Sequence, residues 1–295
     1  MANKNEAPSS RFLFKFLFIY LIIVPAYIIL PLPKRLRRYT ADVFEPSVKT
    51  LIESQRGYTP EVYENTLEGF QKAIDLNLDS VSCDVWYTKD KVPVLVRGGE
   101  WGELDDYFGS PEQVQHLTWD QISKLKANKG GYQITKLVDV IELCKNKIFL
   151  NIILRDYRVE VIFPLLSEMF EKYDIFEQAM ISSEQLGYHF RINEYNNFYE
   201  HDNKIAFGFM FDKEAYHRYE FEKHGHIICV HWSKITEDLI NRAHENMIAI
   251  QAYFDKDEVE TEEKYNLLFK LGVDVIGSFN AVEAQKARDK YFKSH

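Results

Sequence analysis

Arginine side chains follow or close three of the β-strands that the sequence predicts, and an aspartate lies within a fourth. Arg56 comes just after the strand-like run 51–54, Arg97 closes the run 92–97, Arg155 follows 148–154, and Asp84 belongs to 80–85. In barrels of parallel strands the carboxyl ends of the strands gather at one rim, where we expect these side chains to meet. Guanidinium groups bind phosphate through paired hydrogen bonds. Arg56, Arg97 and Arg155 are therefore candidates for binding an anion such as a phosphorylated lipid head group.

The same arginines have a second interpretation. Arg97 and Arg155 could form ion pairs with Asp84, Glu64 or Glu100 and close a mouth that binds nothing. Both interpretations stay open at the level of sequence.

Five short motifs follow one another over residues 55–97. They read Gln55-Arg56-Gly57, Glu64-Asn65-Thr66, Cys83-Asp84-Val85, Thr88-Lys89-Asp90 and Pro93-Val94-Leu95-Val96-Arg97. In order and spacing they resemble the glycerophosphodiester phosphodiesterase family, whose motifs read roughly HRG, ENT, ELDV, TKDG and PVVxHD. A later run, 271–276, is similar to the family's closing LGVDGI. The resemblance covers about residues 50–280 and implies a TIM (β/α)8 barrel.

The resemblance also implies where the family's catalytic groups would stand. Its two acid–base histidines fall on Gln55 and Arg97, and neither residue exchanges a proton near neutral pH because the amide does not titrate and guanidinium keeps its proton up to pH ~12. Its divalent-metal ligands fall on Ser82, Asp84 and Ile153, of which only Asp84 is a carboxylate. We therefore expect no catalytic residue, no metal site and no cofactor, although the family would use Ca²⁺ or Mg²⁺.

The remaining chain alternates strand-like and helix-like segments, which favours the α/β class with helices around a parallel sheet. The predicted strands are 51–54, 80–85, 92–97, 148–154, 180–182, 205–209, 227–230, 248–253 and 275–276. This is one strand more than a barrel needs, so we expect one to be peripheral. The predicted helices include 64–76, 118–127, 159–173, 236–246 and 260–271.

The first 40 residues have a different character. Residues 16–32 form an uncharged apolar run, which predicts a transmembrane helix over about 12–32. A cleaved signal peptide is the competing interpretation, but a Leu-Pro-Leu-Pro ending does not suit a cleavage site. A basic flank at 34–38 follows, and we expect it to contact anionic phospholipids and to keep the body, 41–295, on the cytosolic or matrix side.

Composition and residue spacing argue against several classes of function. The net charge is -9, and residues outside the first 40 are more acidic still, which argues against nucleic-acid binding. Cys83, Cys144 and Cys229 are widely spaced and are expected to be buried thiols. His224, His226 and His231 are expected to be structural, because no carboxylate or cysteine accompanies them at ligand spacing.

These observations lead to one hypothesis with two alternatives. The chain is interpreted as a single-pass, membrane-anchored pseudoenzyme that acts as an accessory or structural subunit of a membrane protein complex, with the mitochondrial inner membrane suspected and other internal membranes open. The first alternative is an active phosphoric diester hydrolase of glycerophosphodiesters in lipid metabolism, with Glu64 and Asp84 as the nearby substitute acids. The second is a non-catalytic binder of phospholipid head groups.

Overall fold

A computed structural model describes residues 50–104, 108–128, 130–198, 204–211 and 225–294. The predicted transmembrane helix 12–32 and the basic flank 34–38 lie outside these residues. Among the helices of the described ranges, none combines the length and apolar character that crossing a membrane requires.

Twelve strands and eight α-helices are found in the described ranges. The strands are β1 Leu51–Ser54, β2 Ser80–Tyr87, β3 Pro93–Leu95, β4 Glu103–Leu104, β5 Ser110–Gln113, β6 Thr135–Lys136, β7 Phe149–Leu154, β8 Ala179–Ser183, β9 Ala206–Met210, β10 Ile227–His231, β11 Ala249–Tyr253 and β12 Val275–Ser278. The helices are α1 Leu67–Asp75, α2 Trp119–Ile122, α3 Leu137–Cys144, α4 Val159–Tyr173, α5 Leu186–Phe198, α6 Glu237–Glu245, α7 Glu262–Leu271 and α8 Ala281–Ser294.

The strands β1, β2 and β7 to β12 form a closed parallel barrel. Around the ring the order is β1, β12, β11, β10, β9, β8, β7 and β2, and β2 pairs with β1 to close it. The predicted TIM-type fold is therefore confirmed. The predicted strand 92–97 is the peripheral one, because β3 pairs antiparallel with the outer part of β2 and with β6.

The barrel is filled in layers. At the amino-terminal end of the strands an apolar cluster closes the interior, formed by Met180, Ala206, Ile227, Ala249 and Val275. Inward-facing positions alternate along a strand, so the next layer in β1, β7 and β11 holds Glu53, Asn151 and Gln251. Polar side chains thus lie directly beneath the mouth, while the main apolar core lies between the barrel and its helices.

Local capping explains where several helices begin. The side-chain oxygens of Thr66, Thr236 and Thr261 accept hydrogen bonds from the third backbone N–H that follows each of them. The first predicted helix consequently starts at Leu67 rather than at Glu64. The prediction for 118–127 was too long, because α2 is a single turn and the backbone N–H of Ala127 bonds across a loop to the carbonyl of Tyr132.

Candidate functional site

Backbone geometry after β1 brings Arg56 to the barrel mouth. Arg56 and Gly57 both have positive φ, 60° and 84°, which turns the chain sharply at the end of the strand. A Cβ at position 57 would lie 3.0 Å from the carbonyl carbon of Gly69, so this turn packs closely on α1. The N–H of Asn65 also bonds to the carbonyl of Arg56 at 2.8 Å.

Asp84 lies at the centre of the site and is fully buried in β2. Its Oδ1 accepts from Nε of Arg155 at 2.8 Å, and its Oδ2 lies 2.9 Å from Nε of Arg56. Nη1 of Arg97 lies 3.6 Å from Oδ1, which makes it the longest of the three contacts. The sequence therefore predicted correctly that Asp84, Arg56, Arg97 and Arg155 gather at one place.

Burial by itself would raise the pKa of Asp84, but the three arginines outweigh it. The positive charges of Arg155, Arg56 and Arg97 hold the pKa of this carboxyl well below its usual range. Asp84 is therefore an ionised anchor for arginines at any physiological pH, and it is not poised to donate or accept a proton.

A second set of acids surrounds the first. Glu64 accepts from Nη1 of Arg56 at 3.1 Å and from Nζ of Lys256 at 2.7 Å. Glu184 pairs with Nη1 of Arg155 at 2.8 Å. Of the acids that the sequence offered as partners, Asp84 and Glu64 do pair with mouth arginines, whereas in the part of the chain that the structure describes no ion pair joins Glu100 to them.

The residues at the family's metal positions do not fit Ca²⁺ or Mg²⁺. These ions need several oxygen ligands, commonly including more than one carboxylate. Ile153 offers none, the Ser82 hydroxyl accepts from the N–H of Arg56 at 3.2 Å, and both Asp84 oxygens face guanidinium groups. Three positive charges thus stand where a cation would have to bind.

The two positions of the family's acid–base pair have other roles here. Nε2 of Gln55 donates to the carbonyls of Gly277 at 2.8 Å and Phe254 at 3.2 Å, so this side chain ties the ends of β11 and β12 together. Arg97 is about one-third exposed, and burial together with the like charge of Arg155 lowers its pKa. Neither residue can act as a general base.

The mouth opens into a cavity of about 420 Å³ whose floor is polar. Glu53 accepts from Asn151 Nδ2 at 3.0 Å and from Gln251 Nε2 at 2.8 Å. Burial raises the pKa of Glu53 to about 7, although the hydrogen bonds from Asn151, Gln251 and Ser82 oppose the shift. Glu53 was not among the predicted site residues, although a carboxylate within a short buried strand was a signal for it.

A second cavity, of about 530 Å³, shares Arg97, Arg155 and Glu184 with the first. Its aromatic wall is formed by Trp86, Trp101 and Tyr157. The rings of Trp101 and Tyr157 meet edge to face at 5.5 Å, and both side chains are substantially exposed. The two arginines thus separate a polar compartment from an aromatic one.

Comparison with known proteins agrees with this architecture. The Glycerophosphoryl diester phosphodiesterase family matches residues 56–278. The chain belongs to this family. A protein of Caldanaerobacter subterraneus subsp. tengcongensis named glycerophosphodiester phosphodiesterase is 31% identical over 147 residues, which cover 46% of this chain and 58% of the relative. The match thus spans little more than half of that relative's length.

Solved structures of family members share the fold. The Oleispira antarctica phosphodiesterase in complex with the product sn-glycerol-3-phosphate superposes with a TM-score of 0.69 at 18% identity, covering 82% of this chain and 98% of that one. A glycerophosphoryl diester phosphodiesterase from Parabacteroides distasonis superposes with a TM-score of 0.66 at 22% identity, covering 86% and 92% of the two chains. At these identities the likeness establishes the barrel and not the activity.

Proposed function

We propose that this chain is a catalytically inactive member of the glycerophosphodiester phosphodiesterase family. The observation that carries the proposal is the set of residues that line the mouth: Gln55 and Arg97 stand at the family's two acid–base positions, and Ser82 and Ile153 stand at two of its metal positions. A general acid or base typically contributes 10²–10⁴-fold to a rate, and a catalytic metal adds several kcal/mol. Both contributions depend on the family's acid–base histidines and metal ligands, most of which are other residues in this chain.

The first alternative, an active hydrolase, needs a substitute proton donor or acceptor. Glu64 and Asp84, the substitute acids that the sequence offers, are both bound by cationic side chains. Glu53, on the floor of the cavity, is held by the side-chain amides of Asn151 and Gln251. This contact pattern favours the inactive interpretation over catalysis by unusual means.

The decisive experiment is a turnover assay of the full chain in mild detergent. Glycerophosphodiesters are supplied with Ca²⁺ or Mg²⁺, and the Caldanaerobacter relative serves as the positive control. We expect no release of glycerol phosphate by the native chain and measurable release by the variant Gln55→His/Ser82→Glu/Arg97→His/Ile153→Glu. Divalent-dependent turnover by the native chain that disappears in Asp84→Asn would refute the proposal.

We further propose that the chain acts as an accessory or structural subunit of a membrane protein complex, held by the predicted anchor at 12–32. A mitochondrial inner-membrane complex is the suspected host. The proposal is supported by the anchor's sequence together with the replacement of the family's acid–base residues by Gln55 and Arg97. Native gel electrophoresis of detergent-solubilised membranes is expected to show the chain in an assembly much larger than 34.8 kDa. Migration of the full chain as a monomer would contradict it, whereas release from the assembly on deletion of residues 1–40 is expected.

A second candidate function is the binding of phospholipid head groups at the mouth. It is favoured by Arg97, whose side chain is the most exposed of the three arginines and makes the longest contact with Asp84. The neighbouring aromatic wall would suit the ammonium end of a zwitterionic head group. Calorimetric titration with sn-glycerol 3-phosphate and with phosphocholine tests the two compartments, and Arg97→Ala is expected to abolish binding of both.

A further inference from the structure

Three potential metal ligands meet at the barrel rim, far from Asp84 around the ring. His231 ends β10, Asp255 follows β11, and Glu258 lies three residues farther along the same loop. The strand β10 is four strands away from β2 in either direction around the ring. This cluster is therefore separate from the family's metal position and was not expected from the sequence.

The ligand atoms are close to the spacing that a bound ion requires. Nε2 of His231 lies 3.0 Å from Oε2 of Glu258 and 3.6 Å from Oδ2 of Asp255, and all three ligand atoms lie within 4.8 Å of one another. For ligands at the zinc distances of 2.0–2.2 Å in a tetrahedral arrangement, ligand atoms are separated by roughly 3.3–3.6 Å. One measured separation is slightly shorter than this range and the other lies at its upper end, so an ion fits after small side-chain movements.

Neighbouring groups hold two of these ligands in place. Nδ1 of His231 accepts from the backbone N–H of Ser233 at 3.3 Å and lies 2.8 Å from the Ser233 hydroxyl. Binding of an ion at Nε2 would move the imidazole proton to Nδ1, so Nδ1 would exchange its contact with the Ser233 N–H for donation to the hydroxyl oxygen. Oε1 of Glu258 accepts from the indole N–H of Trp232 at 2.8 Å, which keeps Oε2 directed at His231.

The burial of the three side chains resembles that of an open site. His231 is 1% exposed, Glu258 is 26% exposed and Asp255 is 57% exposed, so the ion would have a protein side and a solvent side. Asp255 also lines the 420 Å³ cavity. Three protein ligands with a position left for water or a ligand are typical of zinc sites that bind or react, whereas structural zinc sites usually have four.

We infer that His231, Asp255 and Glu258 bind one divalent transition-metal ion, with Zn²⁺ the best match. The imidazole ligand favours Zn²⁺ over Mg²⁺ or Ca²⁺, which prefer oxygen ligands throughout. The two carboxylates and Zn²⁺ together are electrically neutral, which suits a half-buried position. The inference is independent of the loss of family catalysis, because none of its ligands stands at a family metal or acid–base position.

The alternative is that Glu258 only stabilises the conformation of its loop through hydrogen bonds. Its Oε2 accepts from the N–H of Asp255 at 3.2 Å in addition to facing His231. These hydrogen bonds form without an ion, and they use the backbone of Asp255 and not its side chain. The side chain of Asp255 therefore distinguishes the two interpretations.

The test is calorimetric titration of the full, metal-stripped chain in detergent with Zn²⁺, followed by the visible absorption of bound Co²⁺. We expect one ion per chain, with affinity at least 10-fold weaker in Asp255→Asn and in Glu258→Gln. Asp257→Asn, which alters an exposed acid of the same loop, is the matched control and is expected to bind like the native chain. Circular dichroism verifies that each variant is folded.

Two results would overturn the inference. One is the absence of stoichiometric Zn²⁺ binding by the folded native chain. The other is binding that Asp255→Asn and Glu258→Gln leave unchanged, which would place the ion elsewhere. Neither result depends on turnover of glycerophosphodiesters. A failure of the zinc inference can therefore be distinguished from a failure of the proposed inactivity.

Discussion

Nε of Arg155 lies 2.8 Å from Oδ1 of Asp84, across the junction of β7 and β2. Parallel pairing sets Asp84 opposite Ile153, so Arg155, just beyond the end of β7, reaches back to the carboxylate. A guanidinium group consequently neutralises the one carboxylate that remains at the family's metal positions. Several consequences of this arrangement, and of the polar floor beneath it, can be measured.

Asp84→Asn is expected to destabilise the fold strongly. The substitution removes the negative charge that Arg56, Arg97 and Arg155 share, so their positive charges repel one another. Breaking a buried ion pair typically costs 3–5 kcal/mol. Denaturant unfolding followed by circular dichroism measures the free energy of unfolding. Asp120→Asn, which breaks the exposed pair with Lys124, is the control and should change it little. Equal effects of the two substitutions would show that the arginine cluster is not held by Asp84.

Arg155→Ala and Arg97→Ala are expected to separate stability from binding. Arg155 is 14% exposed and pairs with both Asp84 and Glu184, and Asp84 keeps two other arginines, so the loss of Arg155 should lower the free energy of unfolding by about 2 kcal/mol, the value of a charged hydrogen bond. Arg97 is 36% exposed with a 3.6 Å contact, so solvent screening should keep its effect below about 1 kcal/mol. Unfolding curves of both variants are compared with the phosphate titrations. A larger loss of stability in Arg97→Ala would reverse this ranking.

The contribution of Glu53 to stability is expected to fall as the pH rises from about 4.5 towards 7. Glu53 has a pKa of about 7 when folded, against 4.5 as its ordinary value, because burial favours the protonated form. Between these values the folded state keeps a proton that the unfolded state has released, so its contribution is complete below about pH 4.5 and is lost by about pH 7. The loss for this one group is about 3 kcal/mol.

Glu53→Gln tests the origin of that slope. The amide cannot ionise. The difference in unfolding free energy between the native chain and the variant should therefore change by about 3 kcal/mol between about pH 4.5 and pH 7 and should be constant above pH 7. Denaturation at a series of pH values gives both curves. Parallel curves for native and variant chains would show that Glu53 does not titrate between them.

Gly57→Ala is expected to cost more than Gly131→Ala. Both glycines have positive φ, which costs a residue with a Cβ about 1–2 kcal/mol. A Cβ at position 57 would also press against the backbone of Gly69, whereas one at position 131 would meet nothing within 4 Å. Thermal unfolding of the two variants measures the difference. Equal losses of stability in the two variants would contradict the close packing of Gly57 against Gly69.

The sequence by itself determined the barrel and the identity of the residues at its rim. Alternating strand-like and helix-like segments predicted all eight barrel strands and the peripheral one, because strands buried on both faces leave short, largely apolar runs in the sequence. The helices α3, α5 and α8 were not among the helices named from the sequence. The residues of α5 show no continuous apolar stripe, and packing against neighbouring elements supplies what local pattern does not.

Only the tertiary structure decided which of these residues touch. Lys256 reaches Glu64 across 192 positions, and Gln251 reaches Glu53 across 198. Asp255 and Glu258 likewise converge on His231, whose sequence neighbours contain no carboxylate ligand. Such contacts follow from the register and closure of the whole ring of strands, which sets distances between residues that local sequence patterns leave unrelated.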